Sequence, residues 1–269
     1  MDNPWAEPLG MNPGAAAGAA GHTTWATQNG QRVVWPLEPG AYEMGAEVGA
    51  SKHAVVREAR CSELKNQPVC IKIINLESLG DEKEVERLHA QTKLLSNMAH
   101  ENVIKYHCSF VCKHELWIVM EYAACGSCEL LMRDPRGGPP RPLREQHIAT
   151  VLGAVVRGVE YLHTREHVHR DIKAANILVH ADGRATIGDF ACSRSLMETD
   201  GRTDPKTYVG TLQWMAPEVL EQTGRYDMQA DIWSIGPRPA RSLSDCAAVP
   251  RSRSSEMLTD VCSLLSPQG

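Results

Sequence analysis

The 269-residue sequence lacks the features that direct a chain to a membrane or to nucleic acid. No apolar run approaches the roughly 20 residues that a helix needs to span a bilayer. The N-terminus has no basic segment followed by an apolar one. Lys and Arg number 28 against 33 Asp and Glu, a formal net charge of -5, and they form no basic stripe. We therefore predict a cytoplasmic chain without membrane insertion and without a nucleic-acid partner.

The sequence also lacks a recognisable cysteine framework. Its nine cysteines are scattered and odd in number, which in a reducing compartment favours free thiols over disulfides. Cys125-Gly126-Ser127-Cys128 has no second cysteine pair to complete a zinc site. Of the three neighbouring histidines, His163 and His167 flank a predicted helix end, and His169 belongs to a motif described below. We predict no zinc or redox centre.

Residues 1–40 have neither a helical nor a strand period. The Gly14 to Gly21 run of alanine and glycine offers little surface to bury against the entropy of ordering the chain. We expect a disordered leader over these residues. Trp35 to Gly40 marks the approach to a folded domain that begins at residue 41, with Tyr42 opening the first strand.

The stretch from His169 to Leu178 carries the chemistry. Asp171 can accept a hydroxyl proton, Lys173 can clamp a phosphate, and Asn176 with Asp189 can hold metal ions. Together these residue types at this spacing predict a phosphoryl-transfer site. A lone His-Arg-Asp triplet would be read as surface charge.

Two further motifs argue against the surface-charge interpretation. Val69-Cys70-Ile71-Lys72 lies upstream and Ala216-Pro217-Glu218 lies downstream, in the order and spacing of the protein-kinase motif set. Lys72 interrupts an apolar strand, where a buried ammonium is costly unless an anion such as the α- and β-phosphates of a nucleotide meets it. We therefore expect Lys72 and Asp189 to serve one shared cleft.

A degraded glycine-rich loop precedes this lysine strand. Gly49 occupies the first glycine position, whereas Ser51 and Ala54 occupy the second and third, so backbone approach to phosphates is hindered. Taken alone, the stretch from Val48 to Val56 is better interpreted as an ordinary hairpin turn.

Two helices are predicted from apolar spacing. Asp81 to Met98 contains no Gly or Pro and is predicted to be a charged helix. The resemblance of His100 to Ile104 to the segment that follows this helix in protein kinases implies that Gln91 lies where a kinase places the Glu that pairs with the strand lysine. Glu145 to Thr164 is predicted to be a buried helix on the spacing of its apolar residues, which are Ile148, Leu152, Val155, Val159 and Leu162.

From Tyr42 to Gly236 the chain resembles a sterile-twenty-like serine/threonine protein kinase of the germinal-centre group. It is most similar to the oxidative-stress-responsive, proline-alanine-rich kinase branch. Three stretches carry the resemblance: Ile74 to Glu77, Asp171 to Leu178, and Gly210 to Glu218. The resemblance implies a two-lobe α+β kinase fold. A small lobe, about 41–122, would hold an antiparallel sheet and one helix, and a helical large lobe would span about 123–236.

The resemblance also implies a function in stress or osmotic signalling, with transfer of the ATP γ-phosphate to serine or threonine hydroxyls of protein substrates. Asp171 would be the base, Lys173 would contact the transferred phosphate, and Asn176 and Asp189 would hold Mg²⁺. An upstream kinase would phosphorylate Thr207. The implied nucleotide-binding residues are Val48, Gly49, Ala50, Ser51, Val56, Lys72, Gln91, Met120, Tyr122 and Leu178.

The sequence also departs from the family pattern. Ser51, Gln91, Ala191 and Leu212 each replace a usual residue. Pro237 interrupts the helical pattern that begins at Asp231, so we expect an incomplete, C-terminally truncated large lobe and a non-kinase tail over 237–269.

Two further interpretations stay open. One is a catalytically weak or inactive kinase-like scaffold or allosteric activator, and the other is a fragment that does not fold stably. Retention of both Asp171 and Asp189 favours an active kinase.

Overall fold

A computed structural model describes residues 25–28, 31–138, 141–195, 215–220 and 228–236. The chain divides into two compact units. The first contains the described residues up to Ala99 together with Ile104–Tyr122, and the second contains His100–Val103 and the described residues from Ala123 onward.

A hairpin and a buried tryptophan occupy part of the predicted leader. Strands β1 (Trp25–Gln28) and β2 (Gln31–Val34) pair in an antiparallel hairpin. Trp35 follows, is 1% exposed, and stacks on His107 with 4.0 Å between ring centroids. Here the structure differs from the predicted disordered leader, because burial of the indole supplies apolar contact that the composition of the segment does not suggest. Residues 1–24 lie outside the described part of the chain.

Five antiparallel strands form the sheet of the first unit, in the spatial order β3, β4, β5, β7, β6. One face of the sheet is apolar, and Val69 and Ile71 are completely buried there in the cluster that contains Trp35. Side chains alternate along a strand, so Cys70 and Lys72 lie on the opposite face. The strand bounds are Tyr42–Ala50 for β3, Ala54–Cys61 for β4, Gln67–Asn75 for β5, Tyr106–Cys112 for β6 and Glu115–Glu121 for β7.

One α-helix, α1 (Glu82–Ser96), accompanies this sheet. It begins where the Asp81 side chain accepts a hydrogen bond from the Glu84 backbone N–H at 2.9 Å, which satisfies one of the open donors at the helix start. The helix predicted from Asp81 to Met98 is confirmed to within two residues at its C-terminal end, and it carries Gln91.

The second unit is mainly helical. Its helices are α2 (Cys128–Met132), α3 (Glu145–His163), α4 (Pro217–Leu220) and α5 (Met228–Ile235). Two short antiparallel pairs accompany them, β8 with β11 and β9 with β10. These strands are His167–Val168 for β8, Ile177–Val179 for β9, Ala185–Ile187 for β10 and Arg194–Ser195 for β11.

Helix α3 forms the centre of this unit, as its spacing predicts. All five predicted apolar positions are at most 6% exposed, and they are Ile148, Leu152, Val155, Val159 and Leu162. A Cβ at Gly158 would lie 2.7 Å from the Asn102 carbonyl oxygen, so this contact requires glycine. That oxygen also accepts the Ile187 backbone N–H at 2.9 Å, and Asn102 Nδ2 donates to the Ala185 carbonyl at 2.9 Å. Helix α3 therefore fixes β10, which leads into Asp189.

The fold class is the predicted α+β class, with an antiparallel sheet and one α-helix in the first unit and a mainly helical second unit. In the part of the chain that the structure describes, no helix is both long and apolar enough to cross a membrane. The predicted tail over 237–269 lies outside the described residues.

Candidate active site

Three predicted catalytic side chains form one hydrogen-bonded cluster between β8 and β9. Asp171 is 7% exposed. Its Oδ2 atom accepts Lys173 Nζ at 2.7 Å and Asn176 Nδ2 at 2.9 Å. Asn176 Nδ2 also donates to the Asp171 carbonyl oxygen at 2.8 Å. Two donors on one oxygen fix the orientation of the carboxylate.

Local backbone structure explains why residues two and five positions after Asp171 return to it. A 3-10 turn over Ala174–Asn176 follows Lys173, and the Asn176 N–H donates to the Lys173 carbonyl at 2.9 Å. The turn brings the Asn176 side chain back to the loop. The Asn176 carbonyl in turn accepts the Gly188 N–H at 2.8 Å, so the loop is tied to the residue before Asp189.

Asp231 on α5 holds the backbone that enters this loop. Its side chain is completely buried and accepts the backbone N–H groups of His169 at 2.8 Å and Arg170 at 2.7 Å. It also accepts His163 Nε2 at 2.9 Å. Arg170 has φ 70°, a left-handed conformation that costs energy for a non-glycine residue. The buried carboxylate stabilises this strained entry to the loop.

The spacing of motifs in the sequence does not mark Asp231 as a functional residue. The signal was an acidic residue within the largely apolar Ala230–Ile235 stretch, because a buried charge requires partners. Its partners lie more than 60 residues earlier in the chain, so spacing could not reveal them.

His169 connects the loop to the segment that carries Asp189. It is completely buried, and its Nε2 lies 3.0 Å from the Gly188 carbonyl oxygen. Its Nδ1 accepts the Asp171 backbone N–H at 3.3 Å, so the ring proton is on Nε2. Burial lowers the pKa of His169 below its usual 6.5, against the opposing charge of Asp231. The neutral ring therefore links the His169-Arg170-Asp171 motif, through the Asp171 N–H, to Gly188, which precedes the Asp189-Phe190-Ala191 motif.

Asp189 adopts a left-handed conformation, with φ 55° and ψ 76°. A non-glycine residue held in this region is strained, and such strain concentrates at functional sites. The 3-10 turn Phe190–Cys192 follows, and Phe190 packs edge-on against His169 at 4.9 Å between ring centroids. Burial, together with the carboxylates of Asp171 and Asp189 and against the charges of Arg170 and Lys173, raises the pKa of Cys192 to about 11. Both acids therefore lie within electrostatic range of this thiol.

The residues suit Mg²⁺ better than zinc. Asn176 and Asp189 offer the oxygen ligands that Mg²⁺ prefers, and Mg²⁺ usually completes its shell with phosphate oxygens and water. Among the described residues, no group of three or more His, Cys, Asp or Glu side chains could hold a metal ion. Cys125 is exposed, whereas Cys128 is completely buried.

In the first unit, three of the predicted nucleotide-binding residues share one face of the sheet. Lys72 on β5 pairs with Val56 on β4 and with Ile118 on β7, and Met120 pairs with Cys70. Directly opposed residues point to the same face. Burial, together with the Glu58 carboxylate and against the charge of Lys72, raises the pKa of Cys70 to about 11. This face therefore carries the Lys72 ammonium group and the Glu58 carboxylate among apolar side chains.

The degraded glycine-rich loop forms a tight hairpin. Gly49 pairs with Val56, Ala50 pairs with Val55, and the Ser51 N–H donates to the Ala54 carbonyl at 2.7 Å. Val48 is 54% exposed. The geometry is that of the ordinary hairpin that the sequence left open, and the Ser51 N–H is engaged within it.

The other predicted site residues are distributed over both units. Gln91 lies on α1, and the Tyr122 hydroxyl donates to Glu58 Oε2 at 3.0 Å. Leu178 lies on β9, with its Cδ1 atom 2.8 Å from the position that a Cβ at Gly188 would occupy. The predicted phosphosite Thr207 and the altered residue Leu212 lie outside the described residues.

Comparison with known proteins agrees with this arrangement. The sequence profile of the protein kinase domain matches residues 42–263, a range that extends beyond Gly236. Germinal center kinase 3 of Caenorhabditis elegans is 42% identical over 212 residues, which cover 75% of this chain and 35% of that protein.

Two further relatives are similar over a comparable region. Serine/threonine-protein kinase fray2 of Dictyostelium discoideum is 37% identical over 75% of this chain and 19% of its own length. Serine/threonine-protein kinase hippo of Drosophila melanogaster is 38% identical over 62% of this chain and 23% of its own length. The chain thus spans 35% or less of these three relatives. The profile match covers most of the chain, and the chain belongs to the protein kinase family.

Proposed function

We propose that the chain is a serine/threonine protein kinase of the sterile-twenty-like type, which transfers the γ-phosphate of ATP to hydroxyls of protein substrates. The observation that carries this proposal is the Asp171 carboxylate, held through Oδ2 by Lys173 at 2.7 Å and Asn176 at 2.9 Å. A carboxylate fixed in this way suits the task of accepting the proton of an attacking hydroxyl.

Each residue of the cluster has a role in the proposed reaction. Asp171 orients the substrate hydroxyl and takes its proton. Lys173 places an ammonium group beside that carboxylate, where it can compensate the charge of the phosphoryl group during transfer. His169 and Asp231 do not touch the substrate in this scheme. They hold the loop in its strained conformation, so that little reorganisation is needed when the reaction begins.

The proposed cofactors are ATP and Mg²⁺. Bound Mg²⁺ supplies charge neutralisation on the nucleotide phosphates. Asn176 and Asp189 are the residues that would hold it. Lys72 would contact the α- and β-phosphates, and the side chains that share its sheet face would contact the base.

We further propose that the chain belongs to the oxidative-stress-responsive, proline-alanine-rich kinase branch and that it acts in the cytoplasm in stress or osmotic signalling. The Ile74-Asn75-Leu76-Glu77 stretch and the Gly210 to Glu218 stretch support the branch. An upstream kinase would act on Thr207. A phosphate there would add charge that a guanidinium such as that of Arg170 can meet.

The test uses the purified 269-residue chain, a mixed peptide library, and melting curves with and without Mg-ATP. At a nucleotide concentration of 100 times Kd, binding stabilises the folded state by about 2.7 kcal/mol. We expect the melting temperature to rise with Mg-ATP, and the product to contain phosphoserine and phosphothreonine. Phosphotyrosine as the main product would contradict the proposed specificity. An unchanged melting temperature would contradict nucleotide binding and leave the scaffold interpretation.

A further inference from the structure

The first strand of the sheet is irregular just before the glycine-rich loop. The pairing of β3 with β4 shifts register between Met44 and Glu47, and the paired residues skip Gly45 and Ala46. Two adjacent β4 side chains bond the backbone of the skipped residues. Arg57 Nη2 donates to the Gly45 carbonyl at 2.7 Å, and the Ala46 N–H donates to Glu58 Oε1 at 3.2 Å. Side chains thus replace the ladder hydrogen bonds that a bulge interrupts.

The second oxygen of Glu58 reaches a different strand. Glu58 Oε2 accepts the Tyr122 hydroxyl at 3.0 Å, directly after β7 ends. Burial raises the pKa of Tyr122, and the hydrogen bond to Glu58 and its charge raise it further. One carboxylate therefore connects β3, β4 and the end of β7.

The absence of a side chain at Gly45 provides the space for the Glu58 carboxylate. A Cβ at Gly45 would lie 2.6 Å from Glu58 Cγ and 2.9 Å from Oε1, so only glycine lets the carboxylate lie over β3. Glu58 is paired with Cys70, and Cys70 lies two residues before Lys72. The carboxylate consequently lies on the sheet face that carries Lys72.

We propose that Glu58 is a positioning residue for the nucleotide. It keeps the strand that leads to Gly49 and the residue Tyr122 in a fixed relative position. The inference rests on the proposed function, because Lys72 is assigned there to the nucleotide and the family resemblance implies nucleotide contacts for Gly49 and Tyr122. Without the carboxylate, the segments around the nucleotide gain freedom that binding must then remove, and this weakens ATP affinity. The catalytic cluster around Asp171 belongs to the second unit, so turnover at saturating ATP should change little.

The test measures Mg-ATP affinity by calorimetry, and KM and kcat by phosphate transfer, on variants of the full chain. We expect Glu58→Ala to weaken Mg-ATP binding about five- to tenfold, as loss of two charge-assisted hydrogen bonds near the surface allows. The kcat should stay within about twofold. Glu58→Gln should restore affinity, because its amide oxygen can accept the Ala46 N–H and its NH₂ can donate to the Tyr122 oxygen. Glu43→Ala, an exposed carboxylate on β3, is the matched control and should bind normally.

A second readout does not depend on nucleotide. Amide hydrogen exchange at Ala46 should accelerate in Glu58→Ala and stay unchanged in Glu58→Gln. Gly45→Ala should reproduce the effect of Glu58→Ala, because the new methyl group displaces the carboxylate. Tyr122→Phe removes only one hydroxyl and should reduce Mg-ATP affinity less than Glu58→Ala does. This variant also tests the inference if Glu58→Ala does not fold.

The outcomes separate this inference from the proposed function. If the unaltered chain binds Mg-ATP and Glu58→Ala or Tyr122→Phe binds it equally well, the positioning role is overturned while the proposed function stands. If the unaltered chain binds no Mg-ATP, the proposed function is overturned, and the nucleotide role of Glu58 with it. A loss of affinity in Glu58→Ala that Glu58→Gln restores supports the inference.

Discussion

The substitution Asp231→Asn tests how the loop around Asp171 is held. The buried carboxylate accepts three hydrogen bonds, from the backbone N–H groups of His169 and Arg170 and from the His163 ring. An asparagine amide keeps one oxygen, which can still accept the Arg170 N–H. The new NH₂ group then faces the His169 N–H, and two donors cannot bond each other. The His163 ring can change tautomer and accept from the NH₂ group, so this contact survives in neutral form.

The cost follows from these contacts. One buried donor left without an acceptor costs about 1–3 kcal/mol. The remaining bonds lose the charge assistance that makes such bonds about twice as strong as neutral ones. We therefore expect Asp231→Asn to lower the free energy of unfolding by about 3 kcal/mol, a large share of the 5–15 kcal/mol of a typical domain. Phosphate-transfer activity should also fall, because the His169 backbone N–H loses its acceptor and the loop that leads to Asp171 is held less firmly.

Urea unfolding of the full chain is monitored by fluorescence. Phosphate transfer is measured at a temperature at which the unaltered chain and the variant are both folded. Asp182→Asn is the matched control, because Asp182 lies in the same unit with a side chain that is 65% exposed. We expect the control to keep the urea midpoint and the activity of the unaltered chain. If Asp231→Asn gave the same midpoint and activity as this control, the assigned role of Asp231 would be wrong.

Three further predictions concern both units. Gln91→Glu should raise turnover about two- to fivefold, because a carboxylate pairs with Lys72 more strongly than an amide does. Unchanged kcat and ATP affinity would show that Gln91 is not the residue that pairs with Lys72. Burial lowers the pKa of His107 to about 3. The ring is therefore protonated in the unfolded chain at a higher pH than in the folded chain, and the free energy of unfolding should fall by about 1.4 kcal/mol per pH unit as the pH drops from 6.5 to about 3. His107→Phe should flatten this slope in urea titrations, and an equal slope would contradict the assignment. Gly158→Ala should cost about 1–3 kcal/mol through the contact with Asn102, and an unchanged urea midpoint would refute it.

The parts of the fold that sequence reasoning anticipated are those set by local spacing. Helix α3 buries the five apolar positions that recur at helical intervals, and Asn176 returns to Asp171 because the 3-10 turn Ala174–Asn176 follows Lys173. Lys72 lies between Ile71 and Ile73 on a regular strand, so its face follows from alternation. These relationships need no knowledge of distant residues.

The parts that sequence reasoning missed depend on long-range or irregular contacts. Asp231 bonds the backbone of His169 across more than 60 residues, and backbone donors leave no mark in a sequence. Glu58 reaches Tyr122 and Ala46 only because β3 is irregular at Gly45, and the motif pattern at Gly49 does not reveal that irregularity. Trp35 lies within the predicted leader and is nevertheless buried, because one indole can order a segment whose composition otherwise indicates disorder.

The most direct test of the account compares γ-phosphate transfer by the full chain and by its Asp171→Asn variant, with Mg-ATP affinity measured on both. The side chain of Asn cannot accept the hydroxyl proton, and a general base contributes typically about 10²–10⁴-fold to the rate. We predict that transfer to serine and threonine peptides falls by about that factor while Mg-ATP affinity stays within about twofold. Equal rates of transfer by the two proteins would contradict the assignment of Asp171 as the base and, with it, the proposed function.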